Sequence, residues 1–313
     1  MTRPLREAVN DYLALRRALG YRMARPEKLL DQFLDHLDSV GQSRITVTTA
    51  LSWARLPANA TPSWWGYRLS AVRGFAIYLH AIDPAHEVPA ADLLPQRSLR
   101  ASPYVYSDAD ITALIAACTT LRDPLRQATF ATLIGLLAVT GLRVGEAIAF
   151  NRDDVDLRAR RLTVRHGKFD KARQLALHPS TVQALRDYQR LRDRLAPPTG
   201  TRAWFVSLAG TRLLYCNVQH TFHRLVKLAG LTPRSASCRP RLHDLRHSFA
   251  VHAMLDAYAT GQDGQFRLTL LSTWLGHVHP GSTYWYLSAS PELMAIAGQR
   301  LEAHLTGQSA GQP

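Results

Sequence analysis

The apolar positions of the first eighty residues recur at helical spacing. Ala8, Tyr12, Leu15 and Leu19 follow a period of about 3.6, and Gly20 stands where a C-cap belongs, so the pattern predicts a helix with its apolar stripe on those four residues. The stretch "LLDQFLDHLDSVG" repeats the pattern, with Leu30, Phe33, Leu34 and Leu37 turned inward and Asp31, Asp35 and Asp38 outward. Thr61-Pro62 is a cap followed by proline at the first helical position, opening a further helix on Leu69, Val72, Ala76 and Leu79. Residues 1–82 therefore read as a four-helix module.

From 83 to 106 the periodicity stops, and Pro84, Pro89, Pro95 and Pro103 punctuate what reads as an interdomain linker. Regular structure restarts at Ser107, where "SDAD" has the form of a capping box with Asp110 in third position. Helical patterns cover 108–118 and 124–140 and lead into "TGLRVGEA". Two alternating runs, "RRLTVRH" and "RQLALHP", then read as strands of a hairpin joined by "GKFDKA". Helical patterns return at 180–195, 215–229, 243–257, 267–275 and 291–305, and "TGQSAGQP", 306–313, closes the chain as a disordered tail. The expected fold is mainly α with a small β-sheet. It comprises an all-helical domain over 1–82, the linker 83–106 and a mostly helical second domain over 107–305.

Composition adds a partner to this outline. The formal charge is +14 and the pI near 10.2, which favours a polyanion. Residues 1–100 carry net +4 and the remainder net +10, so both modules are positive, as expected of two modules on one duplex. Only four of the 38 basic residues are lysines, Lys28, Lys168, Lys171 and Lys227; arginine suits two-pronged phosphate contacts. Cys118, Cys216 and Cys238 are scattered and lack C-x-x-C spacing, which excludes a disulfide framework or a cysteine zinc site. The opening "MTRPLREAVNDY" has no apolar secretion core, and "FATLIGLLAV", 130–139, is too short for a bilayer span. A cytoplasmic protein without membrane contact is expected.

Four stretches could carry chemistry. In "TGLRVGEA", 140–147, Gly141 ends a buried helix and Arg143 follows in the turn, with either Glu146 or a bound phosphate as its partner. Lys168 sits after Gly167 at the hairpin tip, in a chain where lysine is scarce. In "HDLRH", 243–247, His243 and His247 nearly share a helix face, as do His243 and Arg246. A zinc helix H-E-x-x-H needs Glu in second place and a third ligand elsewhere. Here the acid is Asp244, and Arg246 brings a fixed positive charge that opposes a cation and favours a phosphate. In "WLGHVHPGSTYWYLS", 274–288, His277 follows Gly276 at a helix end, and nine residues later comes Tyr286, in a short helix that Ser282 could cap. Tyrosine becomes a nucleophile only where cations stabilise its phenolate and the charge developing on a phosphate.

Taken in order, these stretches resemble the tyrosine recombinases of the phage integrase family along essentially the whole chain. "TGLRVGEA" is similar to the family's first-arginine box, "HGKFDKAR" to its lysine hairpin, "HDLRHSFA" to its His-x-x-Arg box and "LGHVHPGSTYWYL" to its Leu-Gly-His box with the tyrosine. The helices around "YLALRRALGY" resemble its core-binding domain. The resemblance implies a two-domain, C-shaped clamp on double-stranded DNA. It further implies that Arg143 and Arg246 hold the scissile phosphate, that His243 and His277 hydrogen-bond it and assist proton transfer, and that Glu146 supports the site. Lys168 would protonate the departing 5′ oxygen, and Tyr286 would attack phosphorus to give a 3′-phosphotyrosine, with no metal and no cofactor.

The departures from the pattern are Phe169 where a second glycine is usual, which leaves Lys171 as a rival to Lys168, and Tyr284 as a rival to Tyr286. "LDAYATGQDGQFRLTLL" is also longer than usual, which with "TYWYL" is closer to integrases carried on transposons. The resemblance implies a bacterial, nucleoid-associated enzyme that integrates, excises or transposes a mobile element at specific recombination sites. It would act as a tetramer exchanging its last helix through Leu293, Ile296, Ala297 and Leu301, alone or with other recombinases of the same element. Three alternatives stand beside it: a type IB topoisomerase, a DNA-binding protein without catalysis, and a zinc hydrolase using His243 and His247.

Overall fold

The computed structural model describes residues 3–94, 101–165, 172–277, 281, 283–284 and 291–305. Two compact units divide the chain, Met1–Arg100 and Ala101–Pro313.

The first unit is built from four helices, α1 (Arg3–Ala18), α2 (Ala24–Ser39), α3 (Val47–Arg55) and α4 (Pro62–His80). Thr46 and Thr61 cap α3 and α4 by accepting the backbone N–H three residues on, and Pro62 occupies the first turn of α4, where its missing N–H costs nothing. Leu30, Phe33, Leu34 and Leu37 of α2 are buried against Trp53 of α3 and Leu69, Val72, Phe75 and Ala76 of α4. Each such side chain removed from water stabilises the unit by roughly 1.5–3 kcal/mol. The stripe of α1 differs from the predicted one. Leu5, Val9, Tyr12 and Leu13 are buried, whereas Leu15 and Leu19 are 49% and 63% exposed. Leu15 falls on the flank of the face set by Leu5, Val9 and Tyr12. Leu19 lies past the end of α1, in the turn that Gly20 closes with a φ of 85°.

The predicted linker, 83–106, is held at both ends, and the division at residue 100 falls inside it. His86 Nδ1 accepts the Ile45 N–H, Pro89 O accepts from Arg73, and Leu94 is buried, all within the first unit. Tyr104 and Tyr106 are buried in the second unit, where the Tyr106 N–H donates to Ser248 Oγ.

The second unit opens with α5 (Asp108–Ala117), whose start is the capping box of Ser107 and Asp110. It continues through α6 (Pro124–Thr140), α7 (Val144–Ala149), β1 (Val155–Asp156), β2 (Arg161–Val164), β3 (Arg173–Ala176), α8 (Pro179–Leu195) and α9 (Tyr215–Leu228). The closing elements are α10 (Asp244–Ala259), α11 (Gly264–Leu275) and α12 (Pro291–Leu305). The sheet is antiparallel in the order β1-β2-β3, with Leu162 opposite Leu175 and Val164 opposite Arg173. Two strands were expected; β1 adds a third that is too short to show a period. α11 starts three residues before its predicted bound because Asp263 accepts the N–H groups of Gln265 and Phe266, a cap hidden in a loop-like "GQDG".

α6 is the central element of this unit, with Phe130, Leu133, Ile134 and Leu137 buried against α5, α8 and α10. α10 packs on α11 and α12 through Ala250, Val251, Met254, Leu268, Leu271 and Leu293. Leu293 of the predicted C-terminal face is thus buried on its own unit, whereas Leu301 is exposed. Among the described residues no helix is long and apolar enough to cross a membrane.

Candidate active site

The site forms where four helix ends and the head of one strand meet. α6 stops at Gly141, whose φ of 62° places it in the left-handed region, and a Cβ there would stand 2.4 Å from Phe249 Cδ1. The chain then turns through Leu142 and puts Arg143 at the N-cap of α7. Glu146, three residues on and buried, folds back over that cap. Its Oε2 accepts the Arg143 backbone N–H at 3.0 Å and its Oε1 accepts from Arg143 Nη1 at 2.9 Å. Of the partners left open for Arg143 in the sequence, the carboxylate is therefore present.

A second guanidinium reaches the same carboxylate. Arg173, the first residue of β3, donates from Nη1 to Oε1 at 3.1 Å and from Nη2 to Oε2 at 2.9 Å, while its Nε donates to Trp274 O at 2.9 Å. Burial by itself would raise the Glu146 pKa. The hydrogen bonds and charges of Arg173 and Arg143 together outweigh that and hold it below the usual carboxylate range. One carboxylate against two guanidiniums leaves a net positive charge.

Arg246, on the first turn of α10, is only 1% exposed. Its Nη1 donates to Gly141 O and its Nη2 to Leu275 O, each at 2.7 Å. Both carbonyls stand at helix C-termini, α6 and α11, which end at glycines of positive φ, Gly141 and Gly276. Such carbonyls have lost their helical partners and carry the negative end of the helix dipole, so they suit a buried guanidinium. Nη2 also lies 2.9 Å from His277 Nε2. A guanidinium cannot accept a hydrogen bond, so Nε2 is the acceptor and the ring proton sits on Nδ1, which donates to the buried Thr283 Oγ1 at 2.8 Å.

His243 is exposed at the lip of the site, at the N-cap of α10. The surrounding protein, and then the guanidiniums of Arg246, Arg143 and Arg241, push its pKa down to about 4. His247 is buried beside it, with ring centroids 5.2 Å apart and edge to face. Its pKa is pushed down to about 3, by burial first and then by His243, Arg241, Arg246 and His277. Asp244 is also buried, and Arg241 grips both of its oxygens at 2.9 Å. Among the described residues no group of three His, Cys, Asp or Glu could hold a metal. The charges around His243 and His247 oppose a dication and favour an anion.

The structure thus brings together Arg143, Glu146, His243, Arg246 and His277. Lys168, Lys171, Ser282 and Tyr286 lie outside the described residues, and Tyr284 is exposed. Sequence reasoning missed Arg173, Thr283 and the Arg241–Asp244 pair. Arg173 carried one usable signal, a charged residue entering a strand opposite the buried Val164, but nothing separated it from the other arginines.

A cluster of guanidiniums gathered at helix ends, beside a small antiparallel sheet, presents a net positive charge that suits an anion. The sequence profile of the phage integrase family matches residues 105–292. A Sinorhizobium fredii protein named as an integrase/recombinase, y4rB, is 43% identical over 303 residues, covering 95% of this chain and 96% of that one. The tyrosine recombinase XerC of Azotobacter vinelandii is 34% identical over 218 residues, 70% of this chain and 67% of that one. Among solved structures, the Tn1549 transposon integrase in complex with transposon right end DNA has the same fold. Its TM-score is 0.65 at 17% identity, over 93% of this chain and 98% of that one. The chain belongs to the phage integrase family, the tyrosine recombinases.

Proposed function

We propose that this protein is a site-specific DNA recombinase that integrates, excises or transposes a mobile element through a 3′-phosphotyrosine. The observation that carries the reading is the convergence of Arg143, Arg246, His243 and His277 on one cationic site, with Glu146 shared between two guanidiniums. In this reading Arg143 and Arg246 neutralise the non-bridging oxygens of the scissile phosphate. His243, neutral at pH 7, exchanges hydrogen bonds with it. The Tyr286 hydroxyl oxygen attacks phosphorus and passes its proton to neutral His243 as the P–O bond to the 5′ carbon's oxygen breaks, and Lys168 protonates that oxygen. Attack by the 5′ hydroxyl of a partner strand reverses the step, so the energy of the broken bond is kept and no nucleotide cofactor is consumed. The fixed cations supply the charge stabilisation that a metal ion supplies in other phosphoryl-transfer sites.

The basic first unit serves in this reading as the core-binding domain, and each unit contributes basic residues to DNA binding. Four protomers assemble on paired recombination sites, with or without other recombinases of the same element, in the cytoplasm of a bacterium. Leu301 and Met294 of α12, both exposed, are the residues we assign to a neighbouring protomer. The test uses wild-type protein, Tyr286→Phe and Tyr284→Phe, each incubated in EDTA with nicked duplexes tiling the DNA on either side of its own gene. A protein–DNA adduct surviving SDS and lost only in Tyr286→Phe is the expected result. Loss only in Tyr284→Phe moves the nucleophile, and no adduct with any duplex overturns the reading.

A further inference from the structure

Arg173 makes three contacts that join otherwise separate parts of the site. Its two Nη atoms take both oxygens of Glu146, its Nε takes Trp274 O, and a Cβ on Gly276 would stand 2.9 Å from Nη1. The first contact reaches α7 beside Arg143. The second and third reach the end of α11, where Leu275 O holds Arg246 and His277 follows. Arg173 itself heads β3, the strand that enters just after residues 166–171, which include Lys168.

Resting on the recombinase reading, we infer that Arg173 is a positioning residue for phosphoryl transfer. It saturates Glu146 so that Arg143 keeps its positive charge for the phosphate, and it pins the hairpin strand to the turn carrying His277. The charge count explains the first half. With Arg143 alone, Glu146 would form a neutral pair and the phosphate would meet little net charge from that side. With Arg173 bound across both oxygens, Arg143 gives only Nη1 and its backbone N–H to the carboxylate, and one positive charge remains. The second half follows from geometry, because a planar fork with a third donor at Nε can span two segments as a lysine cannot.

Among the described residues, the charged groups that lower the Glu146 pKa are Arg173 and Arg143. Burial is already the largest single influence on Glu146, so without the hydrogen bonds and charge of Arg173 that oppose it the carboxyl takes up a proton at higher pH.

The experiment measures the rate of covalent adduct formation on a nicked duplex at saturating DNA, from pH 5 to 9. It compares wild type, Arg173→Lys, Arg173→Leu and Arg173→Leu combined with Glu146→Gln, with a thermal melt of each. Arg173→Leu should lose about 100-fold in rate with DNA affinity nearly unchanged, and Arg173→Lys should recover about a tenth of the wild-type rate. An acid limb absent from wild type should appear in Arg173→Leu and vanish again with Glu146→Gln. A folded Arg173→Leu with wild-type rate and pH profile overturns the inference and leaves the recombinase reading standing, as does a rate loss that merely follows the melt. Wild type that forms no adduct on any duplex overturns both.

Discussion

Nη2 of Arg246 lies 2.9 Å from Nε2 of His277, and the same guanidinium holds the last carbonyls of two helices. One side chain thereby sets the tautomer of His277 and joins α6 to α11 at the site. Arg246→Lys keeps the charge but cannot reach all three acceptors. It should lower stability by about 2 kcal/mol, measured by urea unfolding, and reduce adduct formation about 100-fold or more. Wild-type behaviour in both assays would show that Arg246 is not the keystone of this junction.

Gly141 and Gly145 differ sharply as substitution sites although both lie in "TGLRVGEA". Gly141→Ala forces a Cβ into Phe249 at a positive φ and should destabilise by about 2 kcal/mol or more. A Cβ on Gly145 meets nothing within 4 Å inside α7, so Gly145→Ala should be neutral or stabilise by roughly 0.5–1 kcal/mol. Equal unfolding midpoints for the two variants would contradict the packing described at the end of α6.

His247 gives the second unit a definite pH response. Its folded pKa of about 3 lies below the ordinary value of 6.5, so the native state binds fewer protons than the unfolded chain between those limits. The associated stability is complete above pH 6.5 and is lost as pH falls toward 3. Between pH 6.5 and 5 the loss is at most about 2 kcal/mol. Burial also lowers the pKa of His86 in the first unit, with the same sign. Melting curves of wild type and His247→Gln at pH 7 and 5 separate the two, because the variant should fall less.

α12 separates folding from assembly. Leu293→Asp puts a charge into the cluster with Val251, Met254 and Leu271 and should lower the melting temperature by several degrees or unfold the helix from its unit. Leu301 is 58% exposed, so Leu301→Asp should leave the melt unchanged while weakening multi-protomer complexes on DNA. Sedimentation of protein with paired-site DNA checks this. Assembly indistinguishable from wild type would remove α12 from the proposed exchange.

Much of this molecule was legible before its fold was known. The starts of α4, α5 and α6, the glycine stop after α6 and the buried faces of α2 and α4 depend on residues within a few positions of one another. Caps and helical period are written locally. The order of the arginine, His-x-x-Arg and Gly-His stretches was equally visible. The sequence by itself thus determined the elements and the residue types offered to a phosphate. Tertiary structure alone decided which arginines meet which acceptors. Arg246 and Gly141 are 105 residues apart, Arg173 and Glu146 27 apart, and the burial of Leu13 in place of Leu15 depends on where α1 meets its neighbours. No local pattern records such contacts, because they arise from how helix ends are brought together by the packing of distant faces.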